Sequence, residues 1–182
     1  MRSKANFKSH PLHPLLVAFP IAFYTGTFLL DVLGFFYRTS FTQIGLEISA
    51  NVLHIGALAF ALLAALPGII DYVKVVPPNS SAKKRAANHA LLNSLCFILF
   101  LIAFIIKITG KNMSIGIPLV LETLGTAALV AAGWMGGTLV YRNQIGVDIR
   151  YAHAGKWKEI VITTTEKKVA VAHNDELKAG QM

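Results

Sequence analysis

Two histidines in one short turn are the residues of this chain best suited to bind a metal ion or haem iron. His10 and His13 each precede a proline, at the entrance of an apolar segment that begins near Leu15. A residue before proline avoids helical backbone angles, so we expect both histidines in an extended turn, with Pro14 as the first helical residue. Imidazole ligates haem iron, zinc, copper and nickel, which makes this turn a candidate cofactor or metal site.

Further candidate ligands stand at the ends of two other apolar segments. Asp71 follows the second segment, and His89 and Asn93 are four positions apart on one helix face at the start of the third. Antiparallel helices would bring these residues to His10 and His13 at one membrane face. One interpretation is a haem held by His13 and His89, beside His10 and Asn93. A second is a metal ion, with the ligands His10, His13, Asp71 and His89. A purely structural role, in which these side chains cap helix ends, is the alternative to both.

Three ionisable residues fall within apolar segments, where a charged side chain is costly and marks a functional candidate. Asp31, His54 and Glu122 reach a similar depth toward the outer side when the helices run antiparallel. They could form a proton relay or a cation site, or a buried hydrogen-bond network that fixes the packing. We expect Lys107, which lies farther out, to extend its ammonium group to the outer interface.

The composition is that of a membrane protein with one domain. Of the 182 residues, 54% are hydrophobic and 14% charged, and the mean hydropathy is +0.57; a soluble domain carries about 25% charged residues. Four apolar segments are long enough to cross a bilayer, at about 15–36, 48–70, 89–108 and 115–141. We expect the second to stop at Pro67-Gly68, and Gly133 and Gly137 to allow close helix packing. The sequence therefore predicts an all-α four-helix membrane bundle over residues 1–142, without a clear internal repeat.

The distribution of basic residues predicts the orientation. They concentrate near both termini and at Lys83-Lys84-Arg85, between the second and third segments. Because these positions share one side of a four-helix bundle, the positive-inside rule places both termini in the cytoplasm. The basic run indicates contact with lipid headgroups, not with nucleic acid. Residues 143–182 form a cytoplasmic tail, in which 157–164 and 168–172 could pair as a β-hairpin.

Several short motifs occur in order between residues 9 and 148. They are His10-Pro11-Leu12-His13-Pro14, Phe19-Pro20, Asp31, Leu66-Pro67-Gly68-Ile69-Ile70-Asp71, His89 to Asn93 and Gly133-Trp134-Met135-Gly136-Gly137. In this combination the chain resembles a family of bacterial four-helix membrane proteins catalogued as domain of unknown function 2231. The resemblance implies an integral membrane protein but brings no established activity. Some relatives carry a Rieske-type iron–sulfur domain, which implies electron transfer, but Cys96, the single cysteine here, cannot hold such a cluster.

Three functions are compatible with these patterns. The leading hypothesis is an electron-transfer protein whose cytoplasmic-side histidines bind haem b or a transition metal and which meets a redox partner protein. The second is a membrane scaffold or partner subunit, in which the histidines only cap and pack and which could form a homo-oligomer. The third is a small cation or proton conductor that uses both polar groups in series. An enzyme is not favoured, because the sequence contains no nucleophile elbow, P-loop, H-E-x-x-H or C-x-x-C motif.

Overall fold

The structure is a computed structural model of the 182-residue chain. It describes residues 2–8, 10–37, 40–110, 116–147, 151–153 and 158–160, without the side chains of Ser40 and of residues 151–160. The chain divides into two compact units, residues 1–147 and 148–182, whereas the predicted boundary lies after residue 142. The larger unit holds all the helices that the structure describes.

Four long helices form the larger unit. They are α1 (Leu12–Phe36), α2 (Ser40–Lys74), α3 (Ser81–Thr109) and α4 (Gly116–Tyr141). Each is long and apolar enough to cross a membrane. Large apolar side chains such as Leu62, Ile98 and Trp134 are exposed on these helices, as expected of surfaces that face lipid. The predicted all-α four-helix membrane architecture is confirmed.

Helix α2 continues through the residues that we predicted would end it. Pro67 and Gly68 lie inside the helix, which runs on to Lys74, so the predicted stop was wrong. A proline removes one backbone hydrogen bond, but a membrane helix tolerates this where a neighbouring helix supplies polar contacts to the backbone. Pro67 leaves the carbonyl of Leu63 without its intrahelical donor, and the imidazole of His13 hydrogen-bonds to the adjacent carbonyl oxygen of Ala64.

Helix α1 begins earlier than predicted, and this changes the position of His13. Pro11 is the N-cap, with extended backbone angles, and Leu12 is the first helical residue. Pro14 therefore lies in the first turn, where N–H groups lack intrahelical partners and proline removes no hydrogen bond. The expectation that His13 lies in an extended turn was wrong, whereas His10 does lie in a strand.

A short hairpin precedes α1, and the segment before it is fastened to the end of α2. Strand β1 (Asn6–Phe7) pairs antiparallel with strand β2 (His10–Pro11). The Asp71 carboxylate accepts hydrogen bonds from Ser3 Oγ at 2.6 Å and from the Lys4 N–H at 2.8 Å. Asp71 thus anchors the N-terminal segment to the helical bundle.

The helices pack as two pairs, α1 with α2 and α3 with α4, and smaller interfaces join α1 to α4 and α2 to α3. The largest buried cluster contains Tyr24, Ala57, Cys96, Phe100, Ala128 and Leu129. Gly125 allows a close approach there, since a Cβ on it would stand 2.8 Å from the Phe100 ring. The Gly133/Gly137 pair does not mediate the packing that we predicted, because a Cβ on Gly133 would meet no described atom within 4 Å.

The second unit contains one short hairpin among its described residues. Strand β3 (Tyr151–His153) pairs antiparallel with strand β4 (Lys158–Ile160). The hairpin that we predicted between residues 157–164 and 168–172 lies mostly outside the described residues.

Candidate functional site

His13 and His89 occupy equivalent positions in the two helix pairs. On α1, His13 Nδ1 donates a hydrogen bond of 2.8 Å to the carbonyl oxygen of Ala64 on α2. On α3, His89 Nδ1 donates one of 2.8 Å to the carbonyl oxygen of Ala132 on α4. His89 follows His13 by 76 positions, and Ala132 follows Ala64 by 68. Both contacts lie at the end of the bundle where α1 and α3 begin, which we name the terminal end.

Glycine makes room for each imidazole, again at equivalent positions. A Cβ on Gly68 would stand 2.9 Å from His13 Nδ1, and one on Gly136 would stand 3.0 Å from His89 Cε1. Gly136 follows Gly68 by 68 positions, the same separation as that of the two alanines. Because a hydrogen bond holds each ring in place, α2 and α4 need glycine for the imidazoles to reach the carbonyl groups.

The two imidazoles meet between the helix pairs. Their ring centres are 6.2 Å apart and their planes lie at 89°. A carbonyl oxygen only accepts, so Nδ1 carries the proton in each neutral ring and Nε2 presents a lone pair. Asn93 Nδ2 lies 3.3 Å from Nε2 and 3.4 Å from Nδ1 of His89. These near-equal distances place the amide beside the ring and not in line with the Nε2 lone pair.

His10 and Asp71, which we predicted as further ligands, are engaged elsewhere. His10 is exposed, and its Nδ1 lies 2.9 Å from the carbonyl oxygen of Lys8. The Asp71 carboxylate accepts hydrogen bonds from Ser3 and Lys4 of the N-terminal segment. Among the described residues, no group of three or more histidine, cysteine, aspartate or glutamate side chains is placed to hold a metal ion. Among the described residues, the four predicted ligands therefore do not form one group, and Asn93 lies beside His89.

Residues at equivalent positions also touch one another farther along the bundle. The rings of Tyr24 and Phe100 have centres 4.3 Å apart, and Lys107 Nζ lies 2.5 Å from Asp31 Oδ2. Each of these pairs is separated by 76 positions, like the two histidines. Two equivalent residues touch each other only where they lie on the axis that relates them. The helix pairs are thus related by an approximate two-fold axis along the bundle, an internal repeat that the sequence did not reveal.

Four ionisable side chains gather on this axis, and we name them the axial charge cluster: Asp31, His54, Lys107 and Glu122. Lys107 Nζ lies 2.5 Å from Asp31 and 3.7 Å from Glu122 Oε1. His54 Nδ1 lies 3.7 Å from the same Glu122 oxygen, and His54 Nε2 donates to the carbonyl oxygen of Phe100 at 2.8 Å. The structure therefore brings together the three residues that sequence analysis grouped by their depth.

Lys107 is the member of the cluster that sequence analysis misplaced. We predicted that it reaches the outer interface, but its side chain is 7% exposed and contacts the two carboxylates. Side chains on a helix lean toward the helix N-terminus, which carries this ammonium group back from the end of α3 toward Asp31. The ion pair compensates for the desolvation of the ammonium group, so burial here is possible.

Several polar atoms in and beside the cluster have no hydrogen-bond partner among the described residues. They are both carboxylate oxygens of Glu122, His54 Nδ1, the Tyr24 hydroxyl, Asn51 Oδ1 and Thr126 Oγ1. Buried polar atoms in proteins are hydrogen-bonded in the great majority of cases. The hydrogen-bonding capacity of these atoms is therefore unused within the described residues. The bundle thus has a polar interior beneath an apolar surface.

A family model matches most of the chain. It is described as a predicted membrane protein, domain of unknown function 2231, and it matches residues 9–149, which include all four helices. No curated protein and no solved structure gives a significant match. The chain therefore belongs to the domain of unknown function 2231 family of predicted membrane proteins.

Proposed function

We propose that His13 and His89 are the two axial ligands of one haem b iron, and that the protein carries electrons in the membrane. The supporting observation is the convergence of two imidazoles that each use Nδ1 for a backbone carbonyl, which leaves Nε2 as the unprotonated nitrogen of each neutral ring. Haem iron takes at most two ligands from the protein, because the porphyrin supplies the other four, so a pair of histidines is sufficient. A bare metal ion needs three or four, which the described residues do not bring together.

The separation of the two rings supports axial ligation. Two imidazoles that would hold one iron atom between them must lie close together, because each metal–nitrogen bond is only about 2.0 Å long. The rings of His13 and His89 are 6.2 Å apart. Axial imidazoles can adopt any angle to each other about the bond axis, so the 89° between their planes is compatible with this role.

The surroundings of the pair also suit axial ligands. A ligating histidine commonly donates its other N–H to a carbonyl or carboxylate, which fixes the tautomer and raises the basicity of the ligating nitrogen. Ala64 and Ala132 accept these bonds here. The two histidines face each other in the seam between the helix pairs, where the helices contact each other less than within a pair. A planar macrocycle in this seam would therefore disturb less packing than one within a pair.

Bound haem supplies one-electron chemistry, while the chain orients the iron and shields it from water. We place the terminal end at the cytoplasmic face of a bacterial inner membrane, because Lys8, Lys84 and Arg142 lie near that end of the bundle. A redox partner protein would then approach the histidine pair from the cytoplasm.

The test is an absorption spectrum of the full-length protein, purified in detergent from cells supplied with a haem precursor. We expect a Soret band, sharp α and β bands after reduction with dithionite, and one haem per chain. His13→Ala and His89→Ala should each lose this spectrum but keep the helical circular dichroism, whereas His10→Ala, a change at an exposed histidine, should keep both. A wild-type spectrum without haem bands, or an unchanged spectrum in both His13→Ala and His89→Ala, would refute the proposal.

A membrane scaffold or partner subunit is the second candidate. It is favoured by the same hydrogen bonds, because they join α1 to α2 and α3 to α4 and serve helix packing without a cofactor. In that case His13→Ala and His89→Ala lower the melting temperature in detergent, and the wild type binds neither haem nor metal. Stoichiometric metal without haem would instead indicate a transition-metal ion at the pair.

A further inference from the structure

We infer that the axial charge cluster is a proton-binding site in which Glu122 and His54 share one exchangeable proton. This inference goes beyond the proposed electron transfer and does not rest on it, because it concerns different residues. Between the cluster and the histidine pair, the rings of Tyr24 and Phe100 pack with their centres 4.3 Å apart and their planes tilted by 41°. Two independent observations support it: the balance of buried charges, and the unpartnered atoms of Glu122 and His54.

The cluster contains one more acidic group than it needs to balance its lysine. Asp31 and Lys107 form an ion pair at 2.5 Å, whereas Glu122 lies 3.7 Å from the same ammonium group. With His54 neutral, an ionised Glu122 leaves the cluster with a net negative charge inside an apolar bundle. An uncompensated charge is costly in such an interior, and one bound proton removes it.

The two fully buried members of the cluster face each other across a short gap. His54 Nε2 donates to the carbonyl oxygen of Phe100, so a neutral His54 presents the lone pair of Nδ1 toward Glu122. Nδ1 and Glu122 Oε1 are 3.7 Å apart, and neither atom has a hydrogen-bond partner among the described residues. A proton on either atom makes one the donor and the other the acceptor, and a movement of about 0.7 Å then closes the bond.

Lys107 makes the site selective for a proton over a metal cation. Its ammonium group lies 3.7 Å from Glu122 Oε1, the oxygen that also faces His54. A sodium ion on this oxygen would lie beside that positive charge, and it would also need several oxygen ligands to replace its water. A proton needs one atom, and it can move between the carboxylate and the imidazole.

The groups that face the shared proton come from all four helices: Asp31 on α1, His54 on α2, Lys107 on α3 and Glu122 on α4. Two buried hydroxyl groups, those of Tyr24 and Thr126, have no hydrogen-bond partner among the described residues. Thr126 is one turn from Glu122 on α4, on the side of the terminal end. Because a hydroxyl group both donates and accepts, Thr126 is the candidate first step of a route for proton exchange.

The test is infrared difference spectroscopy of the full-length protein in liposomes during a pH titration, in H₂O and in D₂O. A protonated carboxyl group gives a C=O band that ionisation removes and that D₂O shifts. We expect Glu122→Gln to lose one titrating band, and Glu47→Gln, a change at an exposed glutamate of α2, to retain it. We also expect His54→Gln to shift the pH midpoint of the Glu122 band, because the two residues share the proton.

Three results would overturn this inference. Identical titrating bands in the wild type and in Glu122→Gln would show that Glu122 exchanges no proton. A band that responds at constant pH when sodium chloride replaces choline chloride would assign the site to a metal cation. If Glu122→Gln does not fold, an unshifted midpoint in His54→Gln excludes the shared proton. Failure of the haem test would change none of these expectations, so the two proposals can be judged separately.

Discussion

Lys107 forms an ion pair with the buried carboxylate of Asp31, and its replacement by methionine should therefore be strongly destabilising. Methionine keeps an unbranched side chain of similar length but removes the ammonium group. Asp31, 2.5 Å away, then loses its ion-pair partner, and Glu122, 3.7 Å away, loses a nearby positive charge. The remaining carboxylate charge stays in the interior of the bundle, where water cannot solvate it.

The expected cost of Lys107→Met is about 3–5 kcal/mol of unfolding free energy, the range observed when one partner of a buried ion pair is removed. Solvent screens this pair very little, because the side chains of Lys107 and Asp31 are 7% and 4% exposed. Removal of both partners, in Asp31→Leu with Lys107→Met, should cost less than the two single changes together. We expect a coupling energy of up to about 3 kcal/mol in the double-mutant cycle.

Reversible unfolding in mixed micelles of increasing dodecyl sulfate content, followed by circular dichroism, measures these free energies. Lys84→Met is the matched control, because Lys84 is an exposed lysine on the same helix. It should change the stability by less than about 0.5 kcal/mol. The reasoning is refuted if Lys107→Met costs no more than this control, or if the costs of the two single changes simply add.

Two further changes test the histidine pair and the N-terminal anchor. Gly136→Ala should destabilise the protein, because the new Cβ would stand 3.0 Å from the His89 ring. Gly133→Ala has open space and should be neutral or stabilising. Shifts of the melting temperature in the same direction in both variants would contradict this. Asp71→Ala removes the acceptor for the Lys4 N–H, so hydrogen exchange over residues 2–8 should accelerate about tenfold while exchange in α3 stays constant. Unchanged protection of residues 2–8 would exclude Asp71 as the anchor.

The sequence predicts the four membrane helices because length and apolar composition alone decide whether a segment crosses a bilayer. It does not predict their ends reliably. Pro67 and Gly68 end helices in water, but here they lie inside α2, where Gly68 accommodates the His13 imidazole. That contact depends on a second helix, so no local pattern could predict it. Lys107 illustrates the same limit, because its burial depends on a carboxylate that is 76 positions away in the chain.

The internal repeat is recognisable only once the structure pairs the two histidines and the two glycines. His13 and His89 are 76 positions apart, and Gly68 and Gly136 are 68 apart. These two separations differ, so a search for a single fixed period would not detect the repeat. Between the histidines and the cluster, the contacts on the axis join different residue types, such as Tyr24 with Phe100.

The approximate two-fold axis gives a physical reason for the unlike charged residues of the two halves. On such an axis each residue faces its equivalent, so identical charged residues would place like charges together in an interior of low dielectric constant. Asp31 instead faces Lys107, and His54 faces Glu122. A single chain can carry different residues at equivalent positions, whereas a symmetric dimer of one helix pair cannot.

The neutral histidines at the terminal end face no such constraint, and His13 and His89 are identical. Two identical imidazoles suit a metal centre that accepts two equal bonds, such as one haem iron. The axial charge cluster is different: its members are unlike, so a proton on the axis meets a carboxylate on one side and an imidazole on the other. The difference between the symmetric end and the asymmetric cluster is consistent with the two separate proposals, ligation at the first and proton exchange at the second.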